Sequence, residues 1–211
     1  MRSEASVRPA AEAVRICQAA LNIVVVLLFL LSVYASYQHF LTSRSIRTFG
    51  ILAVSSLFLG LFLTKRRAVA ESPSLPLWLL AVTGTALPLL VRPGDGPGLV
   101  QIGSVLQLVG VIMVAAGLLS LQRSFSVVPG NRGVRDGGLY RVVRHPIYIS
   151  ELVAVFGTVL VYPTMANWAL WIGLCGVQFA RARAEEEFLS SDPVYRAYRE
   201  RVPYRLIPGV L

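Results

Sequence analysis

The chain has 211 residues, of which 55% are hydrophobic and only 15% charged. Soluble domains carry about a quarter charged residues, so a freely soluble domain is excluded and an integral membrane protein is expected. The net charge of +9 suits arginines beside anionic lipid head groups and calls for no nucleic acid.

Six apolar runs follow one another at 19–37, 48–63, 75–91, 100–121, 147–162 and 167–180. They predict an all-α, polytopic membrane helical bundle. Several fall short of the roughly 20 residues that a perpendicular span requires, and the last two are short enough to be tilted, half-buried or re-entrant. The first run exceeds a signal-peptide core and lacks a small-residue cleavage site, so it is expected to remain as an anchor. Cys17 and Cys175 are too few for a disulfide framework or a metal site and read as small core residues.

A cytoplasmic N-terminus puts 17 of the 20 Lys and Arg residues on that side and leaves Arg44, Arg47 and Arg92 opposite. This bias predicts an even number of crossings with both termini cytoplasmic, in a bacterial inner membrane or the endoplasmic reticulum. The chain divides at residue 121. Residues 1–121 read as a transmembrane scaffold, whereas 122–211 hold 11 of the 20 basic and 7 of the 11 acidic residues, so function is expected there.

Between Gln122 and Arg144 the chain is polar, and Pro129-Gly130 and Gly137-Gly138 mark turns in a cytoplasmic loop folded over the membrane face. Its glycines serve a close-lying ligand or the turns alone. Pro146 suits the first turn of a helix. That places Arg144 and His145 beside free amides that favour an anion; an interfacial anchor explains them equally well. Tyr140 and Tyr148 flank the pair, as interface tyrosines do. Glu151 follows Tyr148 on the same helical face, where a carboxylate is costly unless it meets protein or water. It is therefore expected to pair with an arginine or to contact a cationic ligand.

After a turn at 162–167, Trp168 and Trp171 take packing or interfacial roles. Arg181 and Glu185 are spaced to share a helical face, and Glu185, Glu186 and Glu187 form the acidic cluster of the chain. The loop and this cluster are expected to meet at one membrane face. Asp192 and Pro193 start a short surface helix with Val194, Tyr195, Tyr198 and Val202 at helical spacing, ending near Pro203.

Residues 122–208 resemble the membrane methyltransferases related to isoprenylcysteine carboxyl methyltransferase and the phospholipid N-methyltransferases. The resemblance rests on Ser124-Phe125-Ser126-Val127, Gly138-Leu139-Tyr140, Arg144-His145-Pro146-Ile147-Tyr148, Glu185-Glu186 with Leu189, and Tyr195 with Tyr198 ahead of Arg201-Val202-Pro203. Residues 1–121 share only their hydrophobicity with that family.

The resemblance implies S-adenosylmethionine as methyl donor, in a cytoplasm-facing pocket that the loop and the C-terminal helix cap. It implies cofactor contacts from Arg132, Gly133, Val134, Arg135, Tyr140, His145, Pro146, Ile147, Tyr148 and Glu185, with Arg181 facing the substrate. The acceptor implied is lipid-like or lipidated. Carboxylate O-methylation is favoured, with Arg181 orienting an acceptor that is already nucleophilic. A phospholipid amine would need His145 or Glu186 to take a proton. Ser190-Ser191-Asp192-Pro193 replace the family's phenylalanine-glycine pair, which leaves the acidic ligand open among Glu185, Glu186 and Glu187. Ser150-Glu151 stand where a glycine is common, as in the membrane sterol-type reductases. An NADPH-dependent reductase is therefore the alternative enzyme, and a non-enzymatic membrane scaffold the alternative outside catalysis. No oligomeric state follows from the sequence.

Overall fold

The computed structural model describes residues 4–44, 46–65, 70–71, 74–92, 98–125, 127, 130–131 and 133–210, and the backbone alone at 4–15, 17, 46–48, 50, 70–71 and 123. Its elements are α1 (Glu4–Ser43), α2 (Ile46–Leu63), β1 (Ala70–Glu71), α3 (Leu75–Ala86), α4 (Val100–Leu121), β2 (Gly130–Asn131), α5 (Pro146–Val161), α6 (Met165–Leu189) and α7 (Pro193–Arg201). Each of the six apolar runs falls mainly within a helix, so the all-α expectation stands. Among the described residues two stretches, Gln18–Ser43 and Val100–Leu121, are long and apolar enough to cross a membrane. The 16 residues of α5 rise only about 24 Å, against a hydrocarbon core of about 30 Å.

The helix boundaries follow local chemistry. Pro88 lacks an amide donor and disfavours helix in Leu87, so α3 gives way to a 3-10 turn at Leu87–Leu90. Pro146 opens α5 as expected. Thr164 caps α6 by accepting from the Asn167 amide at 3.1 Å, and Asp192 caps α7 by accepting from the Val194 amide at 2.8 Å. The sixth apolar run understates its helix. α6 continues through Arg181 and the acids to Leu189, because a helix that leaves an apolar layer needs only a change of surroundings.

α4 and α5 form the closest helix pair. Gly103, Gly110 and Gly117 recur every seven residues on α4 and face α5, where Gly110 meets the backbone of Ala154 and a Cβ on Gly103 would stand 2.6 Å from the Gly157 carbonyl. Small residues permit such backbone contact between apolar helices. Gln107 bonds Thr158 across the seam at 3.1 Å. Beside it Phe29 stacks on Phe58 at 5.6 Å, and Phe58 meets Phe125 edge-on at 5.4 Å. Outward, α1 exposes Ile23, Leu27, Leu31 and Tyr34, and α4 exposes Ile102, Val105, Ile112 and Leu119, an apolar surface that suits lipid contact.

Two connections mark opposite ends of the bundle. Ala70 pairs with Asn131 and Glu71 with Gly130, a short antiparallel ladder absent from the sequence expectation that ties the α2–α3 connection to the α4–α5 loop. At the other end Asn167 donates to the carbonyls of Arg92 and Tyr162 at 2.9 and 2.8 Å. The connections expected to share a face are therefore joined in space.

Candidate functional site

The loop before α5 and the acids at the end of α6 meet. Backbone amides of Arg144 and His145 donate to the carbonyls of Tyr204 and Arg205 at 2.9 and 3.0 Å, which brings the C-terminal tail onto the start of α5. Arg144 then donates from Nε to Glu186 Oε1 at 2.7 Å and from Nη1 to the carbonyls of Val202 and Pro203 at 2.8 and 2.6 Å. Arg205 holds the other oxygen of Glu186 at 2.8 Å, and His145 Nε2 lies 3.2 Å from Glu186 Oε1. The Tyr198 hydroxyl donates to the Tyr140 carbonyl at 2.8 Å. Loop, α6 and tail thus form one cross-linked cap. Burial raises the proton affinity of Glu186, but hydrogen bonds from His145, Arg205 and Arg144 outweigh it and hold the carboxyl well below the usual carboxylate range.

Under the cap lies a cavity of about 420 Å³, within the range of about 300–1,000 Å³ typical of small-molecule sites. Its polar part is walled by Tyr140, His145, Tyr148, Glu185, Tyr195 and Tyr198, with Asn131, Gly133, Val134 and Arg135 from the loop. The Tyr148 hydroxyl donates to Glu185 Oε2 at 3.0 Å, and the His145 ring stacks on Tyr148 at 5.3 Å. Glu151 and Arg181 also line it, as do the apolar side chains of Phe29, Val54, Phe58, Val111 and Val114 from α1, α2 and α4, which form its apolar arm. Gly133, at φ +87°, takes the left-handed conformation that glycine tolerates best, and its amide donates to Asn131 Oδ1 at 3.1 Å.

Two buried polar atoms have no hydrogen-bond partner among the described residues: the Tyr195 hydroxyl and Arg205 Nε. Tyr195 borders the cavity and is 5% exposed. Burial pushes its phenol up, with Glu185 and Glu186 adding to the shift, so it stays protonated, a buried donor without a partner among the described residues. Burial likewise raises the Tyr140 and Tyr198 phenols.

The residues expected from sequence divide into groups. Gly133, Val134, Arg135, Tyr140, His145, Ile147, Tyr148, Arg181 and Glu185 border the cavity. Pro146 is buried at the helix start behind them, and Arg132 lies outside the described residues. Of the three acids, Glu185 faces the cavity, Glu186 is locked in the cap and Glu187 is exposed. The anion site expected at Arg144 and His145 is already filled by protein: Glu186 takes both, with Glu185 Oε2 3.6 Å from His145 Nδ1. Arg181 and Glu185 have separate partners despite their spacing. Arg181 lies over the Tyr148 ring at 4.7 Å and donates to Gln178 Oε1 and the Val127 carbonyl, each at 3.1 Å. Sequence reasoning passed over Asn131 and Gln178. An amide three residues before an arginine, inside an apolar run, is the signal that marks Gln178.

Residues 99–196 match a family model described as phospholipid methyltransferase. That region is similar to this family, within the same group of membrane methyltransferases that the motifs of 122–208 resemble. No curated protein matches the chain. The matched region runs from the start of α4 into α7 and so contains the loop, Glu151, Gln178, Arg181 and Glu185.

Proposed function

We propose that the protein is an integral membrane methyltransferase that uses S-adenosylmethionine and acts on a lipid-like acceptor. One observation carries the reading. Within the segment that matches a methyltransferase family, the loop before α5 and Glu185 of α6 wall a single cavity. The match also speaks for methyl transfer over the reductase alternative.

The residues fit the donor's chemistry. S-adenosylmethionine, when bound, supplies an electrophilic methyl on a sulfonium centre and carries an ammonium, a carboxylate and hydroxyls. Glu185, at 29% side-chain exposure, and the rings of Tyr140, Tyr148 and Tyr195 offer an anion and π faces to positive groups. The unpartnered Tyr195 hydroxyl offers a donor that the protein leaves unused, and Arg135 offers a charge for a carboxylate. His145 orients Tyr148 and Glu185 by stacking and proximity. Glu186 and Arg144 hold the cap shut, with both Glu186 oxygens engaged in it.

The apolar arm offers a place for an acyl or isoprenoid chain, and Arg181 lines the same cavity. Holding the acceptor in line and excluding water accounts for most of what such a displacement asks of a protein. We propose further that the cap faces the cytoplasm, on the bias of the basic residues. Isothermal titration of the detergent-purified protein tests the reading. S-adenosylhomocysteine should bind and NADPH should not; absence of S-adenosylhomocysteine binding overturns it.

A further inference from the structure

Glu151, Gln178 and Arg181 form a chain of side chains at the inner wall of the cavity. Gln178 is fully buried. Its Oε1 accepts from Arg181 Nη1 at 3.1 Å, and its Nε2 donates to Glu151 Oε2 in a short contact. A guanidinium only donates, so the amide oxygen must face Arg181 and the amide N–H must face Glu151. The network leaves no freedom to flip the amide. Gln178 therefore bridges Arg181 and Glu151. Arg181 is held on its other side by the Val127 carbonyl and the Tyr148 ring. Glu151 borders the cavity and, among the described residues, receives a hydrogen bond from Gln178 alone. A carboxylate offers about four acceptor positions, so this one retains capacity toward whatever occupies the chamber.

We propose that Glu151 is the proton acceptor of the methyl-accepting site and that Gln178 is the residue that positions it. The inference rests on the methyltransferase reading and sharpens the acceptor: its reacting atom bears a proton, as an amine or hydroxyl does and an ionised carboxylate does not. A carboxylate acceptor would meet the like charge of Glu151. In the step, the acceptor's N–H or O–H bond breaks and its proton goes to Glu151. The freed lone pair forms the bond to the methyl carbon. The carbon–sulfur bond of the sulfonium donor breaks with its electron pair on sulfur, leaving a thioether, and Glu151 later passes the proton to water. The ionisable groups whose charges act on Glu151 are Arg181 of α6 and Tyr148 at the start of its own helix.

The test compares wild type with Glu151→Gln, Glu151→Asp and Gln178→Leu in detergent. Infrared difference spectra against Glu151→Gln follow the carboxylic-acid C=O stretch of Glu151 with pH. The band should disappear as pH rises in wild type, with its midpoint displaced in Gln178→Leu. A band that never titrates, or a midpoint indifferent to Gln178, overturns the proposal. Methyl transfer from labelled donor is then read on phosphatidylethanolamine vesicles and on phosphatidylglycerol vesicles carrying oleic acid. Glu151→Gln should lose about 100-fold or more in rate, the usual share of a general base, with Glu151→Asp recovering part and S-adenosylhomocysteine binding unchanged. Methyl oleate as product, or an undiminished rate in Glu151→Gln, overturns the inference. Failure of S-adenosylhomocysteine to bind wild type would instead strike the methyltransferase reading.

Discussion

Glu185 and Glu186 are neighbours on α6 yet belong to different surroundings. Glu186, 2% exposed, is closed between Arg144, Arg205 and His145, whereas Glu185 faces the cavity and accepts from Tyr148. A single residue step along the helix thus assigns one acid to holding the cap and the other to whatever the cavity holds.

The two acids should separate in a pair of variants. Glu186→Gln leaves Arg144 and Arg205 without their counter-charge, and removing one partner of a buried pair costs about 3–5 kcal/mol. Thermal unfolding in detergent should register that loss. Glu185→Gln should unfold near the wild-type temperature and instead weaken S-adenosylhomocysteine binding by calorimetry. Equal stability losses in both would show that the division of labour is wrong.

The cap should also be acid-labile. The folded-state affinity of Glu186 for a proton lies below that of the unfolded chain. Its contribution is therefore fully present above the ordinary glutamate value of about 4.3 and fades as pH falls below it. Melting temperatures taken from neutral pH down toward pH 3 should drop more steeply for wild type than for Glu186→Gln. Parallel slopes would mean that the carboxylate is not held as described.

The glycine seam gives a packing test. At Gly110 a side chain would enter the backbone of Ala154, and at Gly157 that of Gln107. Gly110→Val should destabilise the α4–α5 pair by at least the 1–3 kcal/mol typical of overpacking. Gly173→Val has nothing within 4 Å of its Cβ position and serves as the control. Differential scanning in detergent reads both, and a stable Gly110→Val would rule out the close approach.

The helices and the meeting of loop and acids were legible because they follow from hydropathy and from the motif residues that carry the family resemblance. Pro146 and Asp192 announced their helix starts through local chemistry alone. Assignments within the acidic cluster were not legible. Adjacent residues on a helix point about 100° apart, and Arg144, His145 and Arg205, brought together by the tail, decide which acid is enclosed. Arg144 and His145 read as a waiting anion site because their partner lies 42 and 41 residues away. Gln178 was silent for a similar reason. A neutral amide gains its meaning from the charge on each side, and Glu151 reaches it only once α5 and α6 are packed together.

Tyr195 gives the last prediction, in which stability and binding move apart. Its hydroxyl is buried without a partner among the described residues, a condition that costs a folded protein about 1–3 kcal/mol. Tyr195→Phe removes the unpaired group and keeps the ring that packs on Tyr198 at 5.9 Å. The ligand-free protein should therefore melt at the wild-type temperature or a few degrees above it. If the hydroxyl is reserved for the cofactor, the same change should weaken S-adenosylhomocysteine binding about tenfold, the equivalent of one hydrogen bond of about 1.4 kcal/mol. Scanning calorimetry and isothermal titration measure the two quantities on one preparation. A variant that is less stable and binds as before would place Tyr195 in the packing of α7 and remove it from the site.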